Sequence, residues 1–137
     1  MKNRRNFVKQ ALAGAGFLGL SVFAKKAEAS ELKITIGKGF VHHVFFWLKN
    51  PDSEADCKRF EEGINLLLTI PEIKLSHVGK PVQSPREVVD DSFTYSYMAI
   101  FENEADQDSY QVHPTHLKFV EEYSDLWEKV IVYDAMN

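Results

Sequence analysis

The stretch Val41-His42-His43-Val44-Phe45-Phe46-Trp47-Leu48 decides the fold. It is dense in β-branched and aromatic residues and ends at Asn50-Pro51, as is typical of a strand followed by a turn. Side chains alternate between the two faces of a strand. One face therefore carries His42, Val44, Phe46 and Leu48, and the other carries His43, Phe45 and Trp47. Because both faces are mainly apolar, the sequence predicts a strand that is buried on both sides.

The rest of the chain predicts one small α+β domain around this strand. Ser53 and Asp56 resemble a capping box, and apolar residues at helical spacing then predict a helix that ends before Pro71. Further strands are predicted at 73–82, 93–101 and 130–133, with one helix at 102–112 and another from 115 to about 127. The order β-α-β-β-α-β is that of a ferredoxin-like monomer with a four-stranded antiparallel sheet.

A second subunit would explain the doubly apolar strand. Helices can cover only one face of such a sheet, yet strand 41–48 is apolar on both faces. A homodimer that packs two sheets together, a dimeric α+β barrel, would bury the second face. The alternative is a monomer whose twisted sheet leaves scattered apolar side chains on its surface.

The N-terminus predicts export. Arg4-Arg5 and Phe7 resemble a twin-arginine signal, the uncharged segment 10–24 is too short to span a membrane, and Ala27-Glu28-Ala29 has the small-x-small pattern of a cleavage site. We therefore assign 1–29 to an export signal, 30–39 to a leader and 40–137 to the folded domain. The expected location is the periplasm, with the signal removed near Ala29 and no stable membrane anchor. The alternative is a cytoplasmic protein with a basic tail.

The net charge of the predicted mature chain narrows the classes of expected partner. Residues 30–137 contain 10 Lys and Arg against 19 Asp and Glu, a net charge of −9. This charge argues against binding to nucleic acid or to an anionic membrane surface.

Cys57 is the single cysteine, so an intramolecular disulfide is impossible. The domain must be stabilised by its core alone or with the help of a partner subunit.

The candidate functional motif is Tyr110-Gln111-Val112-His113-Pro114-Thr115-His116. Pro114 predicts a corner and the start of a new helix. On that helix His116, Tyr123 and Trp127 recur at helical spacing, so His116 is expected to point inward. An inward imidazole near the Tyr110 phenol can form a proton-transfer pair. It can equally be a hydrogen-bonded core histidine.

Several segments resemble the stress-responsive dimeric α/β barrel (Dabb) family. They are the strand at 43–49, the turn Gly79-Lys80-Pro81, the strand at 93–101, the pattern Tyr-x-x-His-Pro-x-His at 110–116 and Trp127-x-x-Val130. The likeness extends over residues 41–134. It implies a ferredoxin-like monomer, a barrel dimer of two sheets and a small pocket between sheet and helices. It does not fix a reaction, because one fold can support many functions.

The resemblance also implies which residues line the pocket. A plant cyclase of the family has a tyrosine and a histidine in acid/base and orienting roles, and these match Tyr110 and His116. Its first-strand histidine matches His43 best, whereas Tyr95 replaces a histidine of its third strand. We expect His116 and Tyr110 to be catalytic if the protein is an enzyme. The expected ligand pocket is further lined by His43, Tyr95, Tyr97, His113, Phe119 and Trp127.

Two functions are compatible with these residues. The favoured one is non-catalytic binding of a small apolar or aromatic molecule. The alternative is a small-molecule cyclase, isomerase or lyase, with His116 as general base and Tyr110 orienting it and stabilising negative charge on oxygen. No histidine, cysteine or carboxylate stands at recognised metal-site spacing, and nothing selects a haem ligand. We therefore expect no metal and no cofactor, and a metal held across the pocket or the dimer interface remains an open alternative.

Overall fold

The computed structural model describes residues 37–137. The predicted export signal at 1–29 and most of the predicted leader at 30–39 lie outside the described residues. The described chain forms β1 (Phe40–Leu48), α1 (Glu54–Leu67), β2 (Leu75–Gly79), β3 (Tyr95–Phe101), α2 (Glu104–Gln111), α3 (Pro114–Tyr123), a 3-10 turn (Ser124–Leu126) and β4 (Trp127–Met136). The predicted α+β class and β-α-β-β-α-β order are confirmed, with the second helical segment divided into α2 and α3 at the proline corner.

The four strands form one antiparallel sheet in the order β2-β3-β1-β4. The doubly apolar β1 is central, paired with β3 on one side and β4 on the other. At the level of His42, for example, the neighbours are Ala99 on β3 and Asp134 on β4. The two edge strands are therefore β2 and β4.

The core lies between one sheet face and the helices. His42, Val44, Phe46 and Leu48 are buried on this face of β1, and the intervening residues are only partly buried. The Phe46 ring packs edge-on against the rings of Phe60 in α1 and Trp127, at centroid distances of 4.9 and 5.1 Å. The alternation of β1 was thus predicted correctly, and the helices cover the face that begins with His42.

The predicted bounds of three elements were wrong. The helix expected to reach about Trp127 ends at Tyr123, and β4 runs over Trp127–Met136 and not only over 130–133. The reason is strand pairing, because β4 bonds to β1 from the Phe40–Met136 pair to the Leu48–Trp127 pair. The second strand is also shorter than 73–82, since β2 pairs with β3 only over Leu75–Gly79.

The start of α1 follows the predicted cap. The Ser53 hydroxyl accepts a hydrogen bond from the backbone N–H of Asp56, at 3.2 Å, and so satisfies one of the free donors of the first turn. Among residues 37–137, no helix is long and apolar enough to cross a membrane.

Candidate functional site

A cavity of about 290 Å³ lies between the sheet and the helices, toward the β4 edge. β1 and β3 form its floor, α2 and α3 form much of its roof, and the edge strand β4 forms one side. Its walls are mainly apolar, with a few polar groups among them. The lining residues are His42, Val44, Phe46, Leu67, Tyr97, Tyr110, Gln111, His116, Phe119, Val120, Ser124, Trp127, Val130 and Val132.

A hydrogen bond to Asp134 on β4 holds the His42 side chain in place. Its side chain is only 6% exposed, and its Nδ1 lies 2.7 Å from Oδ1 of Asp134. Because a carboxylate can only accept, Nδ1 carries the proton and donates it to Asp134. The bond fixes both the tautomer and the orientation of the imidazole. His42 is therefore an imidazole of fixed orientation in the floor of the cavity.

Two phenols meet beside this imidazole. Tyr97 on β3 and Tyr110 on α2 are each 1% exposed, and the Tyr110 hydroxyl donates to the Tyr97 hydroxyl at 3.3 Å. Burial raises the pKa of Tyr97 to about 12, although the hydrogen bond from Tyr110 acts in the opposite direction. Burial also raises the pKa of Tyr110, and the neighbouring Tyr97 adds to the effect. Both phenols are therefore protonated donors at neutral pH.

His116 supplies the second imidazole. Its ring centre lies 4.7 Å from that of Tyr110, and its Nδ1 is buried without a hydrogen-bond partner in the described part of the chain. Burial lowers the pKa of His116; the backbone of Gln111 partly opposes this shift, and His42 and His113 lower the pKa further. The ring is therefore neutral near pH 7. An orphaned buried polar atom at a cavity wall is a natural contact point for a bound molecule.

Five of the eight expected site residues line this cavity. They are Tyr97, Tyr110, His116, Phe119 and Trp127. Trp127 reaches it from the first residue of β4 and not from the helix on which it was expected. The other three, His43, Tyr95 and His113, lie elsewhere.

The placement of His43 in the pocket was wrong, because β1 turns its odd-numbered side chains away from the helices. The His43 ring instead packs beside Phe45, with centroids 4.3 Å apart, on the opposite sheet face. Burial lowers the pKa of His43, and His77 and His42 lower it further. The histidine that lines the cavity from β1 is its neighbour His42.

The placements of Tyr95 and His113 also need correction. Tyr95 points toward the helices, but Phe60 lies over it at a centroid distance of 4.8 Å, and its hydroxyl donates to Oε1 of Glu61 at 2.6 Å. His113 caps α3, since its Nδ1 accepts from the backbone N–H of Thr115 at 3.1 Å. Both side chains are thus committed to other contacts.

The sequence interpretation missed His42 and Asp134 as a pair. They are 92 residues apart in the chain, and only the β1–β4 register brings them together. The alternation of β1 did place His42 beside Val44 and Phe46, so a decision on which face meets the helices would have found it. No comparable sequence signal identified Asp134. Within residues 37–137, no three His, Cys, Asp or Glu side chains are grouped so that they could hold a metal ion.

A ferredoxin-like sheet with two imidazoles and two phenols in a sheet–helix cavity fits the expected class. The chain belongs to the Dabb family, the stress responsive A/B barrel domain, because the family model matches residues 40–137.

Named relatives include two plant proteins. Olivetolic acid cyclase from Cannabis sativa is 28% identical over 94 residues, which cover 68% of this chain and 91% of that protein. The structure of hydroxynitrile lyase from Passiflora edulis is 26% identical, with a TM-score of 0.63, and covers 73% of this chain and 94% of that one. A dimeric ferredoxin-like protein of unknown function from Thermobifida fusca shares the fold at 17% identity and a TM-score of 0.58, over 77% of this chain and 96% of that one.

Proposed function

We propose that this protein binds a small apolar or aromatic molecule in the cavity between sheet and helices. The observation that carries the proposal is a mainly apolar cavity with the unpartnered Nδ1 of His116 in its wall. Ligand sites typically combine apolar walls with a few convergent polar groups. A dry cavity of about 150 Å³ can hold benzene. At about 290 Å³ the present cavity has room for a substituted single ring.

A second candidate is catalysis on such a molecule. It is favoured by the neutral state of His116, whose lowered pKa leaves the imidazole able to accept a proton near pH 7. The His42–Asp134 pair adds a second oriented imidazole, and the Tyr97 phenol can stabilise negative charge on oxygen. Two relatives carry the enzyme names cyclase and lyase. In this candidate His116 is the general base, and Tyr110 positions it by ring packing.

We further propose that the chain acts as a homodimer, in which a second sheet covers the open face of the first. Val41, His43, Phe45 and Trp47 of β1 lie on this face and are only partly buried. On β4 the exposed Tyr133 packs against Phe45 at a centroid distance of 6.0 Å. Burial of this apolar surface would stabilise an assembly. The fold relative from Thermobifida fusca is a dimer.

Export to the periplasm is also part of the proposal. It rests on the sequence Arg4-Arg5-Asn6-Phe7, the uncharged segment after it and the pattern Ala27-Glu28-Ala29. A domain with one cysteine needs no disulfide to fold, which suits folding before export.

The test uses Trp127 as an internal reporter. The chain has two tryptophans, so Trp47→Phe leaves a single one, in the cavity wall. Nitroaromatic compounds quench indole fluorescence, and 4-nitroanisole is a neutral single-ring probe of suitable size. Saturable quenching in the Trp47→Phe background supports the binding proposal, and its absence argues against it. Mass spectrometry of material extracted from protein purified from its own periplasm would then identify the natural ligand.

Variants at His116 separate binding from catalysis. His116→Ala should weaken probe binding in either case. His116→Gln keeps hydrogen bonding but cannot act as a base near neutral pH, so it should recover much of the binding while abolishing turnover of any substrate found. His77→Gln on the exposed β2 edge is the matched control and should change neither. If both His116 variants bind normally and only melt at lower temperature, His116 is a core histidine.

A further inference from the structure

The two buried phenols form a directed chain of hydrogen bonds. The Tyr110 hydroxyl donates its proton to the Tyr97 oxygen at 3.3 Å. A phenol has one proton to donate. Tyr110 therefore has none left for a ligand, contrary to the expected role of this residue as the group that stabilises charge.

Within residues 37–137, the proton of the Tyr97 hydroxyl has no acceptor. In the described part of the chain, the Tyr97 hydroxyl makes one hydrogen bond, which joins it to Tyr110. The Tyr97 oxygen is the acceptor in this bond. Tyr97 is 1% exposed and lines the cavity. A buried hydroxyl donor without an acceptor is costly, and a ligand atom can remove that cost.

We propose that Tyr97 donates into the cavity to a negatively charged oxygen of the ligand, so that the site selects phenols, enols and related compounds in their ionised form. This inference rests on the proposed binding function and names the ligand class of the same site. The hydrogen bond that Tyr110 donates to Tyr97 makes the Tyr97 hydroxyl a stronger donor, because hydrogen bonds in a chain polarise one another. Neither phenol ionises near neutral pH, since burial raises both pKa values.

The lining of the cavity contains no carboxylate that would repel an anion. The described domain is rich in carboxylates, yet no Asp or Glu stands among the fourteen lining residues. The carboxylate of Asp134 accepts a hydrogen bond from His42, with Oδ1 2.7 Å from Nδ1. An oxyanion would therefore meet the Tyr97 hydroxyl as a donor and no carboxylate within the lining.

The experiment compares 4-nitrophenol with 4-nitroanisole. The two differ by one methyl group, but only the phenol can ionise, and its phenolate absorbs visible light. Affinities are measured by quenching of Trp127 in the Trp47→Phe background, for the parent and for Tyr97→Phe. Tyr95→Phe is the matched control, since it makes the same change two residues away on the same face of β3, where the hydroxyl is bound to Glu61.

We expect Tyr97→Phe to weaken phenolate binding by about tenfold or more, the usual effect of losing a hydrogen bond to a charged group. Binding of 4-nitroanisole should change by less than about twofold, and Tyr95→Phe should change neither. The parent protein alone provides a second readout that does not depend on any variant folding. At a pH below the pKa of free 4-nitrophenol, bound probe should show excess phenolate absorbance.

Three outcomes would overturn the inference. If bound 4-nitrophenol absorbs as the neutral phenol, the site does not select the anion. If Tyr97→Phe binds both probes as the parent does, or loses both equally, Tyr97 is not the donor, although the cavity still binds aromatic molecules. If neither probe quenches Trp127 in the parent, this inference and the proposed binding function fail together.

Discussion

Gly63 sets the distance between α1 and α3, and its replacement by alanine tests that packing directly. A Cβ atom placed on Gly63 would lie 2.8 Å from the Cγ and Cδ1 atoms of the Tyr123 ring and 3.1 Å from Cδ2 of Phe119. Ordinary contact starts at 3.4 Å, so α3 must retreat by about 0.6 Å or Tyr123 must leave its rotamer. Tyr123 is not free to turn, because its ring stacks on Phe119 at 5.7 Å.

Two opposing effects determine the change in stability. Alanine inside a helix is favoured over glycine by about 0.5–1 kcal/mol. Overpacking a filled core costs about 1–3 kcal/mol. We therefore expect Gly63→Ala to lower the free energy of unfolding by about 1 kcal/mol, which for a domain of this size lowers Tm by roughly 4–8 °C. Because Phe119 also lines the cavity, affinity for 4-nitroanisole should fall as well.

The measurement is urea unfolding followed by tryptophan fluorescence. Gly37→Ala is the control, since a Cβ atom there would meet nothing within 4 Å. The double variant Gly63→Ala/Tyr123→Leu should show a favourable coupling free energy, because the smaller side chain makes room for the new methyl group. If Gly63→Ala is as stable as the parent or more stable, the reasoning that this contact limits the approach of α3 is wrong.

Three further predictions concern assembly, pH and export. Phe45→Asp on the open face should convert the dimer into a monomer in sedimentation experiments, whereas Leu117→Asp on exposed α3 should not; a monomeric parent at micromolar concentration would remove the barrel dimer. The folded state lowers the pKa of His116 below its usual 6.5, so the unfolded chain takes up the proton first and stability should fall as pH decreases through 6.5. His116→Gln should flatten this part of the Tm–pH curve, and an unchanged slope would exclude His116 as its source. Changing Arg4 and Arg5 together to lysine should leave precursor in the cytoplasm, and an unchanged periplasmic yield on immunoblots would refute the twin-arginine route.

Local pattern was sufficient for most of the fold. The alternation of side chains over 41–48 correctly divided β1 into two faces. The helical and strand spacing of apolar residues along the chain correctly predicted the ferredoxin-like order of elements. The end of α3 was missed because Trp127 follows Tyr123 at helical spacing, so periodicity continues where the helix does not. Pairing of β4 with β1, a non-local property, decides that boundary.

The candidate site likewise combines residues that a local motif predicts with residues that only strand pairing brings together. Tyr110 and His116 lie in one short motif, from which they were predicted as site residues, and both line the cavity. His42 and Asp134 belong to the site only because the β1–β4 register aligns them. His43 was chosen over His42 because it matched the first-strand histidine of the plant cyclase best, and the sequence did not show which sheet face the helices cover.

The strands β1 and β4 contribute both to the proposed ligand cavity and to the proposed dimer interface. On β4, Val130 and Val132 line the cavity, whereas Tyr133 packs with Phe45 on the open face. Because β4 is an edge strand, a partner sheet packed on the open face would restrain the same backbone that carries the cavity wall. A shift of β4 by one residue against β1 would exchange the two faces and separate Asp134 from His42. Dimer formation would therefore stabilise the register on which the site depends, and a variant that dissociates the dimer through Phe45 should also bind aromatic probes more weakly.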